Sequence, residues 1–141
     1  MTNETPAQQP APRPPWRRIS EVVRDPSIWQ DLDRVELEQL EGSDFVVHDV
    51  MFLRGSMGDV PGDFAVMLIT NPDDGEVETW LANGVTVPQG ALTTMCGGIV
   101  AVRKLKQIMG IDPPGKNQLP LLMSAAKRTN KIGKYDYWDL T

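Results

Sequence analysis

Residues 45–53 read FVVHDVMFL and residues 64–70 read FAVMLIT, and these two runs decide the fold class. Both are rich in β-branched and aromatic residues, and neither contains glycine or proline, so each predicts a β-strand. The second run is apolar almost throughout, which indicates a largely buried strand. Between them, RGSMGDVPGD (54–63) contains three glycines and one proline and therefore predicts a loop.

Three further segments complete a predicted set of five strands. NPDDG (71–75) is typical of a turn, so EVETWLA (76–82) is expected to form a third strand that closes a hairpin on the second. Asn83-Gly84 is expected to end that strand. LPLLMSAA (119–126) predicts a fourth strand and KYDYWDL (134–140) a fifth, with KRTNKIG (127–133) as the connecting loop.

Helices are predicted at two places. Asp25-Pro26 is a typical helix start, and an irregular apolar stripe follows it as far as Gly42. Before the fourth strand, the region VTVPQGALTTMCGGIVAVRKLKQIMG (85–110) is less regular, and Gly97-Gly98 is expected to divide it into two short helices. In its later part, apolar residues recur at helical spacing. The spaced residues are Ile99, Val102, Leu105, Ile108 and Met109.

The predicted order is a helix, three strands, one or two helices, and two strands. Five strands with a helical segment between the third and fourth is the order of an OB-like barrel, a small, partly open Greek-key barrel. An open antiparallel sheet with helices on one face has the same order and stays an alternative. We therefore predict a mainly β fold, with residues 1–18 as a disordered proline-rich tail and residues 19–141 as one OB-like domain.

Charge divides the 141-residue chain into two unlike parts. Residues 1–100 contain 6 basic and 16 acidic residues, whereas residues 101–141 contain 8 basic and 3 acidic residues. Such an asymmetry indicates a basic face on an acidic body. Because the Debye length is about 8 Å at physiological salt, a local basic patch attracts anions despite the net charge of -5.

Residues that usually carry catalysis or bind metals are sparse. The chain contains one histidine, His48, and one cysteine, Cys96. His48 and Asp49 are adjacent on a predicted strand, so their side chains point to opposite faces and cannot pair directly. The spacing of the carboxylates matches no zinc site. We therefore expect no enzymatic activity, no metal and no cofactor, with His48 hydrogen-bonded in the barrel wall.

The sequence also predicts the cellular compartment. The first residues, MTNETPAQQPAPRPP, contain no apolar core, and no segment approaches the ~20 apolar residues that span a bilayer. A single cysteine cannot form an intramolecular disulfide, which fits a reducing compartment. We expect a cytoplasmic protein with no membrane partner.

The C-terminal segment AAKRTNKIGKYDYWDLT (125–141) combines cations with aromatic side chains, and no acidic residue lies between Ala125 and Tyr135. On an extended strand, Tyr135 and Tyr137 share one face while Trp138 and Leu140 share the other. We expect Trp138 and Leu140 to meet the core, which leaves the tyrosines facing outward or into a groove. The cations of this segment are Lys127, Arg128, Lys131 and Lys134.

Single-stranded nucleic acid is the ligand that suits this combination, because cations contact phosphates and flat rings stack on unpaired bases. In an OB-like barrel, the loops between strands 1 and 2 and between strands 4 and 5 border the binding surface, together with the face of strands 2 and 3. Arg54 enters the first loop, and Trp80 on the third strand is a further candidate for stacking. The same residues also have an explanation that involves no ligand. Basic residues in a hairpin loop improve solubility and protect edge strands, and Tyr-x-Tyr is common in strands for packing reasons.

Four segments together resemble the small OB-fold single-stranded DNA-binding proteins of phages and mobile elements. The resemblance covers about residues 37–141 and is a pattern of strands, not a catalytic signature. Pro88, Gly90 and Gly97-Gly98 depart from it where one regular helix would follow the third strand. It implies handling of single strands in replication or recombination, without sequence preference. The segments are LEQLEGSDFVVHDVMF (37–52), DFAVMLIT (63–70), TWLANGVTV (79–87) and LPLLMSAAKRTNKIGKYDYWDL (119–140).

We therefore predict a single-stranded DNA-binding protein, in the host cytoplasm if a phage encodes it. The alternative is a protein-interaction or structural module, such as a phage assembly component, in which the tail leading into Trp16-Arg17-Arg18 contacts a protein partner. Oligomeric state and the choice between DNA and RNA stay open. The predicted nucleic-acid contacts are Arg54, Trp80, Lys127, Arg128, Lys131, Lys134, Tyr135 and Tyr137.

Overall fold

Seven β-strands and two short α-helices form most of the described chain, which comprises residues 26–57 and 60–141 of a computed structural model. The predicted mainly β character is confirmed. In chain order, the elements are a 3-10 helix (Pro26–Trp29), α1 (Leu37–Leu40), β1 (Asp44–Met57), β2 (Val60–Thr70), β3 (Glu78–Trp80), β4 (Thr86–Pro88), β5 (Leu92–Gly97), α2 (Ile99–Ile108), β6 (Leu121–Asn130) and β7 (Tyr135–Leu140).

Five of the strands form one strongly curled, antiparallel half-barrel sheet in the order β5-β2-β1-β6-β7. The long β1 pairs with β2 over most of its length, and residues 44–47 at its beginning also pair with β6. β5 and β7 are the two edges of this sheet. α2 packs against β7, β2 and β5, so it joins the two edges of the curled sheet.

Around β2, both faces of the sheet are buried. Along β2, alternate residues contribute to two clusters, with Met67 in the main core and Leu68 in a second core on the other face. The main core also contains Leu105 of α2, whereas the second core contains Trp29 of the 3-10 helix and Val87 of β4. Thus α2 covers one face of the sheet, and the 3-10 helix and the β3–β4 hairpin cover the other, as the apolar composition of β2 requires.

The predicted N-terminal helix is wrong in its middle. The 3-10 helix and α1 are separated by an extended segment, residues 33–35, that runs beside the edge of β5. The Thr93 N–H donates to the Asp33 carbonyl at 2.9 Å, and the Val35 N–H donates to the Thr93 carbonyl at 2.9 Å. These bonds satisfy an otherwise open strand edge, and the irregular apolar spacing offers no continuous helical face to bury.

The predicted loop at residues 54–63 is also wrong, because β1 and β2 continue into it as a ladder. Arg54 pairs with Asp63, and the pairing extends to the ends of both strands. Pro61 is tolerated in β2 because β5 pairs with β2 only from Phe64 onward, so Pro61 has a strand neighbour on one side. Arg54 therefore lies on a strand and not in a loop.

The predicted third strand is shorter than expected, and its predicted partner is wrong. β3 pairs with β4 in a separate two-stranded sheet, and the outer edge of β2 is taken by β5. Gly84 has a φ of +87°, and Asn83 Oδ1 accepts a hydrogen bond from the Val85 N–H at 3.1 Å. Asn-Gly between apolar residues is a strong hairpin signal, so β3 pairs with the strand that follows it, β4, and not with β2.

Residues 86–97 contain two strands, β4 and β5, where we predicted the first of two short helices. The sequence LTTMCG of β5 carries two adjacent threonines, which suit a strand, and it pairs with β2 along residues 64–69. The helical spacing of the later part is confirmed by α2. Because β4 and β5 intervene, α2 does not follow directly on the predicted third strand.

β6 and β7 confirm the predicted fourth and fifth strands, although β6 is longer than expected. The predicted loop at 127–133 is reduced to a turn at 131–134, because residues 127–130 continue β6 opposite β7. Leu140 is buried and Trp138 packs against the main core, which confirms the predicted inner face of β7. The predicted tail, residues 1–18, lies outside the described residues.

Candidate nucleic-acid interface

The β6–β7 hairpin brings together most of the residues that the sequence singled out. Directly opposed residues of an antiparallel pair share a face, and Arg128 is opposite Tyr137 while Asn130 is opposite Tyr135. Arg128 and the two tyrosines therefore lie on the outer face of the hairpin. The predicted contacts on this hairpin are Lys127, Arg128, Lys131, Lys134, Tyr135 and Tyr137.

Asn130 organises the turn at the tip of the hairpin. Its Oδ1 accepts hydrogen bonds from the Ile132 N–H at 2.9 Å and the Gly133 N–H at 2.8 Å, and its backbone carbonyl accepts one from the Lys134 N–H at 2.7 Å. Asparagine suits such a turn because its short side chain reaches the backbone two or three residues ahead. These three hydrogen bonds favour one conformation of the tip, which lowers the conformational entropy that binding would cost.

Two tyrosines form the aromatic part of this face. The ring centroids of Tyr135 and Tyr137 are 6.2 Å apart, with ring planes inclined at 56°. Tyr135 is 47% exposed, and its hydroxyl accepts a hydrogen bond from Asn130 Nδ2 at 3.2 Å. A Cβ atom at position 133 would collide with the Tyr135 ring, so Gly133 lets that ring lie against the turn. Both tyrosines lie on the outer face, as predicted, with Tyr135 exposed and Tyr137 half-buried.

Lys127 lies on the other face of the hairpin. It is opposite Trp138, and its ammonium group is 5.3 Å from the centroid of the Trp138 ring, within the range of a cation–π interaction. Its backbone N–H donates to Glu41 Oε2 at 3.0 Å. Lys127 is therefore near the tip but does not share a face with the tyrosines. Lys131 and Lys134, in contrast, are exposed in the turn itself.

Asp139 links the hairpin to α2. Arg128 Nε donates to Asp139 Oδ2 at 2.8 Å, and Lys104 Nζ donates to Asp139 Oδ1 at 3.1 Å and to the Leu140 carbonyl at 2.7 Å. The hydrogen bond from Arg128, followed by that from Lys104, holds the pKa of Asp139 below its ordinary value. The guanidinium of Arg128 is thereby fixed beside Tyr137.

Arg54 is separate from the hairpin along the sheet. Residues 44–47 of β1 pair with β6, whereas Arg54 lies toward the opposite end of β1. Its Nε donates to Asp63 Oδ1 at 3.2 Å, and Lys106 Nζ approaches Asp63 Oδ2 at 3.5 Å. Lys106 also lies 5.5 Å from the centroid of the Phe52 ring. The structure therefore places Arg54 in a second small ion cluster.

Trp80 occupies a third location. It lies on β3, opposite Thr86 of β4, and is partly buried. The neighbouring β4 residue Val87 contributes to the second core with Trp29. The two-stranded sheet therefore places Trp80 apart from the β6–β7 hairpin.

The chain matches no protein-family model, no curated protein and no solved structure. The chemistry of the described side chains is thus the basis for assigning a role. Among residues 26–57 and 60–141, no group of three or more His, Cys, Asp or Glu side chains is arranged to hold a metal ion. No helix in the same ranges is long and apolar enough to cross a bilayer.

His48 is hydrogen-bonded within the sheet and Cys96 is buried in the main core. His48 sits where the β1–β2 register shifts, and a hydrogen bond of 2.9 Å joins its Nε2 to Thr70 Oγ1, as expected for a histidine in the sheet wall. Partial burial lowers the pKa of His48. Burial raises the pKa of the Cys96 thiol to about 12, so the thiolate that nucleophilic chemistry needs is scarce near neutral pH.

Sequence reasoning missed the basic residues of α2 as part of the surface. Arg103, Lys104 and Lys106 lie between the apolar positions of the predicted helix, and they contribute to the excess of basic residues after position 100. A helical projection would have placed them on the solvent face. The contacts of Lys104 with Asp139 and of Lys106 with Asp63 could not have been predicted from the helix alone, because both aspartates lie on distant strands.

Proposed function

We propose that this protein binds single-stranded DNA through the β6–β7 hairpin and handles single strands in replication or recombination without strong sequence preference. The observation that carries the proposal is the outer face of that hairpin. Tyr135 and Tyr137 project from it beside Arg128, and Lys131 and Lys134 extend from the adjacent turn. Rings stack on bases and cations contact phosphates, which is the combination that unpaired nucleic acid requires.

We further propose that the fold is an OB-like barrel. In the large sheet, β6, β1, β2 and β5 lie side by side. When the strands of that sheet are counted in chain order, this is the spatial order 4-1-2-3 of a Greek key. β7 adds the fifth strand, and α2 lies between the third and fourth strands counted in this way. A five-stranded, partly open Greek-key barrel is the description of an OB-fold.

This fold also explains why the hairpin is favoured as the site. In OB-folds the face of strands 2 and 3 is a common binding surface. Here the corresponding strands are β2 and β5, and apolar residues of the 3-10 helix and the β3–β4 hairpin cover one of their faces while the main core covers the other. The strand 4–5 hairpin stays exposed, so it is the natural place for the ligand.

Fluorescence anisotropy of a labelled single-stranded oligonucleotide tests the proposal. The protein is titrated at low and moderate salt, with unlabelled duplex and unlabelled RNA as competitors. We expect salt-sensitive binding that duplex DNA does not displace, because stacking on tyrosines needs unpaired bases. Absence of binding at low salt, where electrostatic attraction is strongest, would refute the proposal. Displacement by RNA at equal concentration would change the assigned ligand from DNA to single strands of either kind.

A protein-interaction module is the second candidate function, and one observation favours it. Ile132, at the tip of the hairpin, is 97% exposed. An apolar side chain projecting between Lys131 and Lys134 suits an acidic protein surface with a small apolar recess. Affinity capture with and without nuclease separates the two functions. A partner that survives nuclease and is lost in Ile132→Ser would support the protein interaction, and loss of all partners with nuclease would exclude it.

A further inference from the structure

The charged residues of α2 are all basic. Ala101, Val102 and Leu105 are the buried residues of this helix. At about 100° per residue, Arg103 then projects almost opposite the buried residues, and Lys104 and Lys106 flank it on either side. The helix contains no acidic residue, and Arg103 is exposed while the two lysines are partly buried at its flanks.

The two flanking lysines reach in opposite directions to two aspartates. Lys104 contacts Asp139 at 3.1 Å, and Lys106 contacts Asp63 at 3.5 Å. Asp139 belongs to β7 and Asp63 to β2, so α2 spans the space between the β6–β7 hairpin and the β1–β2 hairpin. Each aspartate holds a second cation, as described above. Carboxylates shared in this way reduce the repulsion between neighbouring cations and fix their positions.

We infer that the basic face of α2 joins the two hairpins into one continuous track for the phosphate backbone of a single strand. In order along the track, the cations are Arg128, Lys104, Arg103, Lys106 and Arg54. The position of Arg103 between the two lysines follows from the helical projection of α2.

The cations of the track retain donors for phosphates. Arg54 and Arg128 use Nε for their aspartates, and their side chains are 88% and 54% exposed. A guanidinium has five N–H donors, so its terminal nitrogens stay available to a phosphate. Five cations against two aspartates leave a net positive charge along the track, next to a body that is otherwise acidic.

A flexible single strand is the occupant that this shape favours. The track passes from one hairpin across a helix to a second hairpin within one small domain, a short path that a flexible single strand follows more readily than a stiff duplex. This inference rests on the proposed function, because it extends the path of a strand whose bases stack at Tyr135 and Tyr137. It predicts that a longer oligonucleotide gains contacts that a short one lacks.

Oligothymidine binding to the full chain tests the track at two lengths, about 4 and about 15 nucleotides, which span the usual range of an OB-like site. Arg103→Ala is the principal variant, because Arg103 is exposed and has no ion-pair partner among the described residues. Lys106→Ala is the second variant. Lys116→Ala is the matched control, since Lys116 is an exposed lysine in the segment after α2.

For the longer oligonucleotide we expect Arg103→Ala to lower affinity about 5-fold at 0.1 M salt and to reduce the slope of log K against log salt by about 0.7. The shorter oligonucleotide and the Lys116→Ala control should show neither change. Unchanged long-oligonucleotide binding in Arg103→Ala and Lys106→Ala, with binding lost in the double variant Lys131→Ala/Lys134→Ala, would overturn the track and leave the proposed function standing. If the wild-type protein binds neither length at low salt, the proposed function fails together with the track.

Discussion

Replacing Tyr135 and Tyr137 by alanine tests the stacking surface most directly. Stacking of a base on an aromatic ring contributes about 1–3 kcal/mol, so each single substitution is expected to weaken single-strand binding by about 5- to 150-fold at 25 °C. The free energy of unfolding should change less than the free energy of binding. Tyr135 is 47% exposed, and the contact between the two rings, with centroids 6.2 Å apart, is of a kind that contributes about 0.5–1.5 kcal/mol.

The assay is fluorescence anisotropy at constant salt, with urea denaturation of each variant to confirm that it is folded. Tyr135→Phe and Tyr137→Phe are the matched controls, because they keep the ring and remove only the hydroxyl. Tyr135→Phe loses the exposed hydrogen bond from Asn130, at 3.2 Å, and both phenylalanine variants are expected to bind like the wild-type protein. A folded double-alanine variant with unchanged affinity would show that the rings do not stack on bases, and the reasoning would fail.

Three further predictions concern stability and reactivity. Leu105→Ala should lower the free energy of unfolding by about 2–5 kcal/mol because Leu105 is fully buried. Gln107→Ala, on the exposed side of α2, should change it by less than about 0.5 kcal/mol. Urea denaturation measures both values, and equal effects would contradict the packing of α2. Cys96, whose pKa is raised to about 12 by burial, should react with a thiol reagent at pH 8 only as fast as the protein opens; labelling at the rate of free cysteine would show that the thiol is exposed. The stabilisation from the ionised Asp139 is fully present above its ordinary pKa of 3.8 and is lost as the pH falls through its lowered pKa. Asp139→Asn should therefore weaken the acid dependence of the melting temperature below about pH 4, and an unchanged dependence would show that Arg128 and Lys104 do not stabilise the Asp139 carboxylate.

Local sequence signals were sufficient for the central strands. FVVHDVMFL and FAVMLIT contain no competing turn residues, so their β-branched and aromatic side chains decide the local conformation. Pairing partners depend on distant residues and were not predictable in the same way. β5, and not β3, pairs with the edge of β2, because residues of β5 pack into both hydrophobic cores. This packing exists only in the folded sheet, so local sequence does not predict it. Asn83-Gly84 did carry a local signal for the β3–β4 hairpin.

The candidate site was predictable in composition but not in arrangement. Alternation along KYDYWDL was enough to place the tyrosines outward and Leu140 inward, since a strand has a period of two. The position of Lys127 on the face opposite Arg128 became apparent only from the pairing of β6 with β7. The link from Arg128 through Asp139 to Lys104 required the packing of α2 against β7, which sequence spacing does not encode.

The acidic residues of the body support the proposed preference for single strands over duplex DNA. Exposed Asp73, Asp74 and Glu76 follow β2, and the Glu41 carboxylate approaches the backbone of the hairpin at Lys127. A duplex bound at the hairpin would bring a second charged strand close to the Glu41 carboxylate, and its stiffness would prevent it from bending away. A single strand has half the charge and can stay on the narrow basic surface. The cations of the hairpin turn, Lys131 and Lys134, and the five cations of the track would contact about seven phosphates. A plot of log K against log salt should then have a slope of about -5, and a slope near zero would contradict the electrostatic part of the proposal.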